Sequence, residues 1–432
     1  MTRMTWSSGG QTGAVARPVS VKANRIWLAN FDGAWVAVVM TAMLFVQIMG
    51  PISALIIMAA VPTFLLFRRE RFSRLALAAG LVGSLPAFAL FSAFWSSVPQ
   101  ITVYYGTQYL VTVLIGIVIG TALNSQQALS GLFAAFAAHA FASLLIGDYT
   151  VVGQAGKTAV ELAFIGIMAS KNLAADASGV GMLIASAVVV SSVRQRQPIL
   201  FLLALVVLAI DVWMVIRAES TGALVAAAIA AVAMIAMQAG RAFTVQARTF
   251  LFVAIAVVVL AALASQALWY DALMETLLKS AGKDTTLTGR TYIWDHAWRM
   301  IDARPVLGLG YNAFWNVGNP DAELLWDFAG IAEKRGFNFH NSGIEILVHL
   351  GYAGFALYTA VGGALALVLA VRVTRLPTEF GTFAMAYLCF MGARASVETF
   401  GFSPFLYSTA LIAAALSYAL RAGSPRSPVR TA

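Results

Sequence analysis

Apolar residues fill this chain in long unbroken runs, at 33–49, 52–67, 75–95, 103–123, 127–147, 171–192, 198–216, 222–238, 249–268, 342–370, 380–396 and 404–420. None alternates apolar and polar positions as a half-buried strand does. Most approach or exceed the roughly 17–25 residues that a helix needs to cross a bilayer. Lipid offers backbone N–H and C=O groups no partners, so spanning segments are helices or strands of a closed barrel, and continuous runs select helices. The pattern predicts an all-α polytopic membrane protein with about twelve transmembrane helices. Its divisions are a disordered tail at 1–32, helices one to nine at 33–268, a loop at 269–341, helices ten to twelve at 342–420 and a second tail at 421–432. Only Gly50-Pro51 separates the first two runs.

Composition agrees with the pattern. Sixty per cent hydrophobic residues, 11% charged residues and a mean hydropathy of +0.82 exclude an ordinary soluble domain. A net charge of +9 would suggest a nucleic-acid partner in a soluble protein. Here it has a topological reading, and no nucleic-acid partner is expected. Seventeen of the 28 Lys and Arg lie on the side shared by both tails, Arg68-Arg69-Glu70-Arg71 and Arg194-Gln195-Arg196 among them. Seven of the other eleven lie in the long loop, which the positive-inside rule largely ignores. Both termini are therefore expected in the cytoplasm, and the long loop outside. Residues 1–25 are polar and basic with no cleavage site after them, which reads as a tail and not a signal peptide. The single Cys389 permits no disulfide within one chain and no cysteine-built metal site.

Four basic residues fall on the outer side at or near predicted span ends: Lys157, Lys171, Arg217 and Arg394. Each could snorkel to headgroups; together with Arg290 they suggest an outward-facing cationic cavity instead. In the long loop, Thr288-Gly289-Arg290-Thr291 precedes a segment with Trp294, Ala297, Trp298 and Ile301 at helical spacing. Thr288 can cap that helix, Arg304-Pro305 ends it, and its tryptophans suit the membrane interface. Arg290 would then sit beside N-terminal N–H groups that also attract anions, or pair with a carboxylate. Gly308-Leu309-Gly310-Tyr311-Asn312 lacks the βαβ context of a dinucleotide fingerprint and reads as a tight turn open to close approach. His340 at the outer rim can accept a hydroxyl proton or steady a phosphate. Asn341, Glu345 and His349 share one helical face, where Glu345 could orient His340 or bind a sugar hydroxyl, and His349 could join a helix–helix stripe. His139 reads as structural and His296 as a loop residue. Asp211, deep in an apolar run, needs a partner from a neighbouring helix. No Asp-x-Asp pair and no ligand spacing among the four histidines point to a metal, so cationic side chains would neutralise any phosphate.

The blocks Gly166–Asn172, Ser220-Thr221-Gly222-Ala223-Leu224, Thr288–Thr291 with Trp294, Arg304–Tyr311, His340-Asn341-Ser342 with Glu345, and Gly351-Tyr352-Ala353-Gly354 resemble the O-antigen ligase / O-antigen polymerase (Wzy-like) superfamily of bacterial membrane proteins, especially its exopolysaccharide-polymerase branch. The resemblance implies a glycosyltransferase of GT-C-type architecture in the bacterial inner membrane, with its active site facing the periplasm and no metal or other cofactor. It implies an undecaprenyl-diphosphate-linked oligosaccharide as donor, a second lipid-linked repeat unit as acceptor, and membrane lipid and other polysaccharide-assembly proteins as partners. Carried over by position, Arg290, Arg217 and Lys171 would bind the pyrophosphate, and His340 with Arg290 and Glu345 would be catalytic. Asn341, Asn172 and Tyr311 would bind the acceptor sugar. Relatives often carry arginine where this chain has Lys157 and Lys171, and lysine lacks the bidentate fork. Ligation of the glycan to lipid A-core is the alternative within the family. A polysaccharide or lipid transporter is the alternative outside it, though no duplicated halves are visible.

Overall fold

The computed structural model of the protein describes residues 20–152, 161–265, 289–334 and 336–421. Its helices are α1 (Ser20–Leu44), α2 (Pro51–Phe67), α3 (Phe72–Val82), α4 (Ser84–Phe91), α5 (Pro99–Ile117), α6 (Ser125–Ile146), α7 (Lys171–Gln195), α8 (Pro198–Arg217), α9 (Thr221–Ala239), α10 (Val245–Ala264), α11 (Arg290–Ala303), α12 (Pro320–Phe328), α13 (Ser342–Arg375), α14 (Glu379–Arg394) and α15 (Tyr407–Ala419). Local chemistry sets many of the starts. Proline occupies the first turn of α2, α5, α8 and α12, where its missing N–H costs nothing. Side chains of Asn124, Ser170, Asn341 and Thr378 cap α6, α7, α13 and α14.

The helical, multi-pass character is as expected, but the span count is not. Among the described residues six helices are long and apolar enough to cross a membrane, or seven if the bent pair α3–α4 is one span, against the twelve read from hydropathy. The cause is physical. Gly50 interrupts the first apolar stretch at φ 51°, which leaves α2 only 17 residues. A 52° bend splits the run around Gly83. Residues 380–396 and 404–420 condense into α14 and α15, of 16 and 13 residues. Their apolar side chains are mostly buried in protein. Hydropathy registers an apolar run without telling a lipid-facing span from a helix buried among other helices.

A two-stranded antiparallel pair, β1 (Asp148–Val152) and β2 (Glu161–Gly166), accompanies the helices. Lys157 lies outside the described residues. Thr288, the expected helix cap, does too.

The main core joins α1, α6, α7, α14 and α15, and small residues bring backbones together within it. Gly116 of α5 and Gly120, in the turn 118–122 that continues it, face Ala410, Ala413, Ala414 and Ser417 of α15 so closely that an added Cβ would collide. Gly181 of α7 makes the same concession to Asp211 of α8. That carboxylate is fully buried and has no hydrogen-bond partner among the described residues.

The loop–helix junction near the C-terminal half matters most for the site. Helix α13 breaks at Gly351 (φ 61°, ψ −168°), which would orphan backbone groups. The segment after α11 supplies their partners: Leu309 and Gly310 donate N–H to the carbonyls of Val348 and His349, and Tyr352 and Ala353 donate to those of Pro305 and Val306. Non-helical backbone at such depth is tolerated only where protein satisfies it. Gly308 and Gly310 have φ of +66° and +104°, and a Cβ on Gly308 would stand 2.6 Å from the His349 carbonyl carbon. What approaches this glycine turn is the broken helix.

Candidate functional site

The polar residues gather where α7, α9 and α13 begin and α14 ends, around one carboxylate. Glu398, in the segment between α14 and α15, is 7% exposed. Its Oε1 lies 2.9 Å from Nδ1 of His340, and its Oε2 accepts from Nδ2 of Asn172 at 3.1 Å. Two guanidinium groups stand just beyond hydrogen-bond distance of Oε2, Arg394 at 3.8 Å and Arg290 at 4.0 Å. Burial by itself would raise the Glu398 carboxyl. The hydrogen bond and charge of His340, with the charges of Arg394 and Arg290, outweigh it and hold the group below the ordinary carboxylate range.

Each member is placed by a local feature. Asn341 accepts from the N–H groups of Gly343 and Ile344, starting α13, while its amide donates to the Ser396 carbonyl. Ser342 donates to the carbonyl of Glu398 and receives Phe400 N–H, tying the start of α13 to the segment that carries Glu398. His340 adopts φ +50°, uncommon for a non-glycine residue, and its N–H is held by Asn338. Such strain persists where surrounding contacts over-determine it. With Nδ1 on Glu398, the side chain is 23% exposed and Nε2 makes no hydrogen bond among the described residues.

Arg290 is the first residue of α11. Gly289 before it has φ +84°, and a Cβ there would meet the Phe328 ring at 3.1 Å, which explains glycine in this motif on two grounds. The buried face of α11 is Ile293, Ala297 and Ile301. Trp298 points outward, and Trp294 donates its indole N–H to the Phe339 carbonyl at 2.7 Å, one residue before His340. Burial, the larger influence, and the Arg394 charge lower Arg290 from its usual value, opposed by Glu398.

Arg394 and Asp176 form a buried bidentate pair, with bonds of 2.8 and 3.0 Å. Gly222, of the Ser220-Thr221-Gly222 motif, makes room for it: a Cβ would stand 2.8 Å from Nη1 of Arg394. Ser220 donates to Oδ1 of Asn172, so the start of α9 reaches Glu398 through that amide.

Of the residues anticipated from sequence, Asn172, Arg290 and His340 converge on Glu398, with Asn341 bracing the loop beside them. Lys171 contacts the Glu219 carbonyl at 3.4 Å on the rim. Arg217 is exposed on the last turn of α8, three residues before Ser220, and makes no hydrogen bond or ion pair among the described residues. Glu345 faces away from His340: it accepts from Phe339 N–H at 2.8 Å and pairs with Nε2 of His349 at 3.1 Å. Tyr311 is buried, stacked on Tyr109, with its hydroxyl donating to the Phe402 carbonyl. His296 is also buried, against Tyr292. Sequence reasoning missed Glu398 and the role of Asp176. A signal was present, since Glu398 follows the outer-side Arg394 by four residues in a chain with only 19 acidic side chains. Among the described residues no three His, Cys, Asp or Glu side chains stand together as metal ligands.

Fold and site together define a polytopic helical membrane protein whose polar centre is built around buried cations and a histidine–carboxylate pair. Residues 203–359 match the family model described as O-Antigen ligase. The chain is also 30% identical over 274 residues to the exopolysaccharide production protein ExoQ of Rhizobium meliloti (strain 1021), covering 63% of this chain and 61% of that protein. It thus spans about three-fifths of the length of that curated relative. The two matches support the Wzy-like, exopolysaccharide-polymerase family assignment read from the motifs.

Proposed function

We propose that the protein is a polysaccharide polymerase of the bacterial inner membrane, a glycosyltransferase of the GT-C type working from the periplasmic face without metal. It moves a glycan from undecaprenyl diphosphate to a sugar hydroxyl of a second lipid-linked repeat unit. The observation that carries the reading is the meeting of His340, Arg290 and Asn172 on Glu398 at one end of the bundle.

In this reading Glu398 accepts the Nδ1 proton of His340 and fixes the ring, leaving Nε2 as the base, the orienter–base logic of nucleophile activation. The acceptor oxygen attacks the anomeric carbon and its proton passes to Nε2. The bond from the anomeric carbon to the phosphate oxygen breaks, and the electron pair leaves with undecaprenyl diphosphate. Arg290, with spare N–H donors close to a carboxylate it does not fully engage, takes the growing charge on the pyrophosphate. Arg217 and Lys171 add positive charge at the rim, where the diphosphate enters.

Purified protein in proteoliposomes, given lipid-linked repeat units, should yield longer glycans on a sizing gel, and His340→Ala should yield them only at a strongly reduced rate. Polymer from His340→Ala at the wild-type rate would refute the site. The O-Antigen ligase description of the matched family favours a second reading, transfer to lipid A-core. A deletion strain separates the two. Loss of a polymerase leaves single repeat units, whereas loss of a ligase accumulates long lipid-linked chains.

A further inference from the structure

The end of the bundle opposite Glu398 carries a second cationic centre, which the proposed reaction does not use. Arg194, near the end of α7, and Arg241, just past α9, both bond Oε1 of Glu379 at the start of α14, at 2.8 and 2.9 Å. Arg248, in the first turn of α10, lies beside them: a Cβ on Gly240, the residue before Arg241, would stand 3.9 Å from its Cγ. We propose that Arg241 and Arg248 form a binding site for the phosphate of an anionic phospholipid, seated between α9 and α10. The site stands whether or not the transferase reading holds.

Donor geometry and charge call for an anion. Arg241 engages Glu379 through Nη1, and its side chain is 9% exposed, with Nε and Nη2 buried and without a partner. That edge is the fork by which Arg394 grips both oxygens of Asp176, and it fits two oxygens of a phosphate equally well. Nε and Nη1 of Arg248 are likewise buried and unpaired, while its Nη2 is not enclosed, which gives an anion its way in. Buried polar groups are ordinarily satisfied, so these donors call for an acceptor that the chain itself does not supply. Arg248 makes no hydrogen bond or ion pair among the described residues. Three arginines and one carboxylate therefore leave two positive charges uncompensated here. A guanidinium taken out of water without a counter-charge is costly, and a phosphodiester offsets it.

The surroundings favour a lipid as the source of the phosphate. Arg241 falls in the last turn of a segment, Thr221–Ala242, that is long and apolar enough to cross a membrane. Exposed apolar side chains run away from the two arginines along both helices, Val232 and Ile235 on α9 and Phe250 and Val253 on α10. Helix α10 packs chiefly against α13 and not against α9, so these faces border an interval that acyl chains can fill. Basic pockets between spanning helices at the membrane surface bind phospholipid headgroups in this manner. Gln238, one turn before Arg241, donates to Thr382 and keeps a buried, unpaired Oε1. A headgroup hydroxyl can donate to that oxygen, which makes phosphatidylglycerol the appropriate probe.

Thermal unfolding of the full chain in detergent tests the site, with dioleoyl-phosphatidylglycerol, dioleoyl-phosphatidylcholine or inorganic phosphate added. Phosphatidylglycerol should raise the melting temperature saturably, and the other two should not. Arg248→Gln should lose most of that rise. Without lipid, the same variant should melt at or above the wild-type temperature, because it removes a charge that has no partner in the protein. Arg196→Gln alters an exposed arginine on the same rim and should keep the rise. An equal rise with phosphatidylcholine would show a demand for lipid bulk alone, and an equal rise with inorganic phosphate would show a free-anion site. Either result overturns the proposal. So does a full rise in Arg248→Gln, a lower lipid-free melting temperature in that variant, or an equal loss in Arg196→Gln, which would mark a diffuse surface field. No polymer is measured in any of these arms, so their failure leaves the transferase reading standing.

Discussion

Where α7 ends, arginines close on carboxylates at contact distance: Arg68 and Arg71 meet Asp32 at 2.7 and 2.8 Å, and Arg194 and Arg241 meet Glu379 at 2.8 and 2.9 Å. Where α7 begins, Glu398 is shared by a histidine and an amide, and its two nearest guanidinium groups stand off at 3.8 and 4.0 Å. Contact pairs consume their charge locally and hold helices in place. The looser centre keeps donor capacity in reserve, which the departing diphosphate would use in the proposed reaction. One pair at the site end, Arg394 with Asp176, resembles the opposite end in geometry and belongs functionally with the scaffold.

That division orders the effects of substitution. Asp176→Ala should be the most damaging, because it leaves the Arg394 charge buried without its bidentate partner; losses of this type cost about 3–5 kcal/mol. Thermal unfolding in detergent would show it, and an unchanged melting temperature would remove Arg394–Asp176 from the scaffold. Arg290→Ala should lower the polymer-forming rate roughly a hundred- to a thousandfold, the usual penalty for removing one donor to developing charge, with membrane abundance unchanged. Arg290→Lys should recover only part of it, since lysine offers no planar fork.

Glu398→Gln keeps the shape of the side chain and removes its charge, and should cost on the order of ten- to a hundredfold in rate by loosening the base. The same variant gives a pH signature. The Glu398 carboxyl is held below its ordinary value of 4.5 in the folded protein, so its stabilising contribution is complete above that pH and fades as pH falls through the lower folded value. The difference in melting temperature between wild type and Glu398→Gln should persist from neutrality to about pH 5 and shrink only in stronger acid. A difference that vanished between pH 7 and 6 would contradict the assignment. Smallest of all, Arg194→Ala breaks a half-exposed pair at the opposite end and should change stability by no more than about 1 kcal/mol and activity not at all.

Much of this was legible in the chain, and the losses have identifiable causes. Continuous apolar runs made helices predictable. Gly50-Pro51 and Arg304-Pro305 marked a break and a helix end that the structure shows. The number of spans was not legible, because apolar runs do not show where the backbone breaks, and the breaks leave α2, α14 and α15 with 17, 16 and 13 residues. The pair Glu345–His349 follows from helical spacing, four residues apart on one face. His340 and Glu398 are separated by 58 residues, and only the packing of α13 beside α14 makes them partners. Glycines in the motifs suggested ligand approach, yet Gly308 admits the backbone of α13 and Gly222 admits Arg394. Close approach was read correctly as a need, and its object was set by tertiary structure.

In the proposed reaction Glu398 acts through His340, and a double-substitution cycle measures that coupling directly. Polymerisation rates of wild type, Glu398→Gln, His340→Ala and the double variant should show strong non-additivity, because once the imidazole is gone nothing remains for the carboxylate to orient. The double variant should be as slow as His340→Ala alone. Losses that multiply, with Glu398→Gln slowing His340→Ala by the same factor as it slows the wild type, would show that the two side chains act independently.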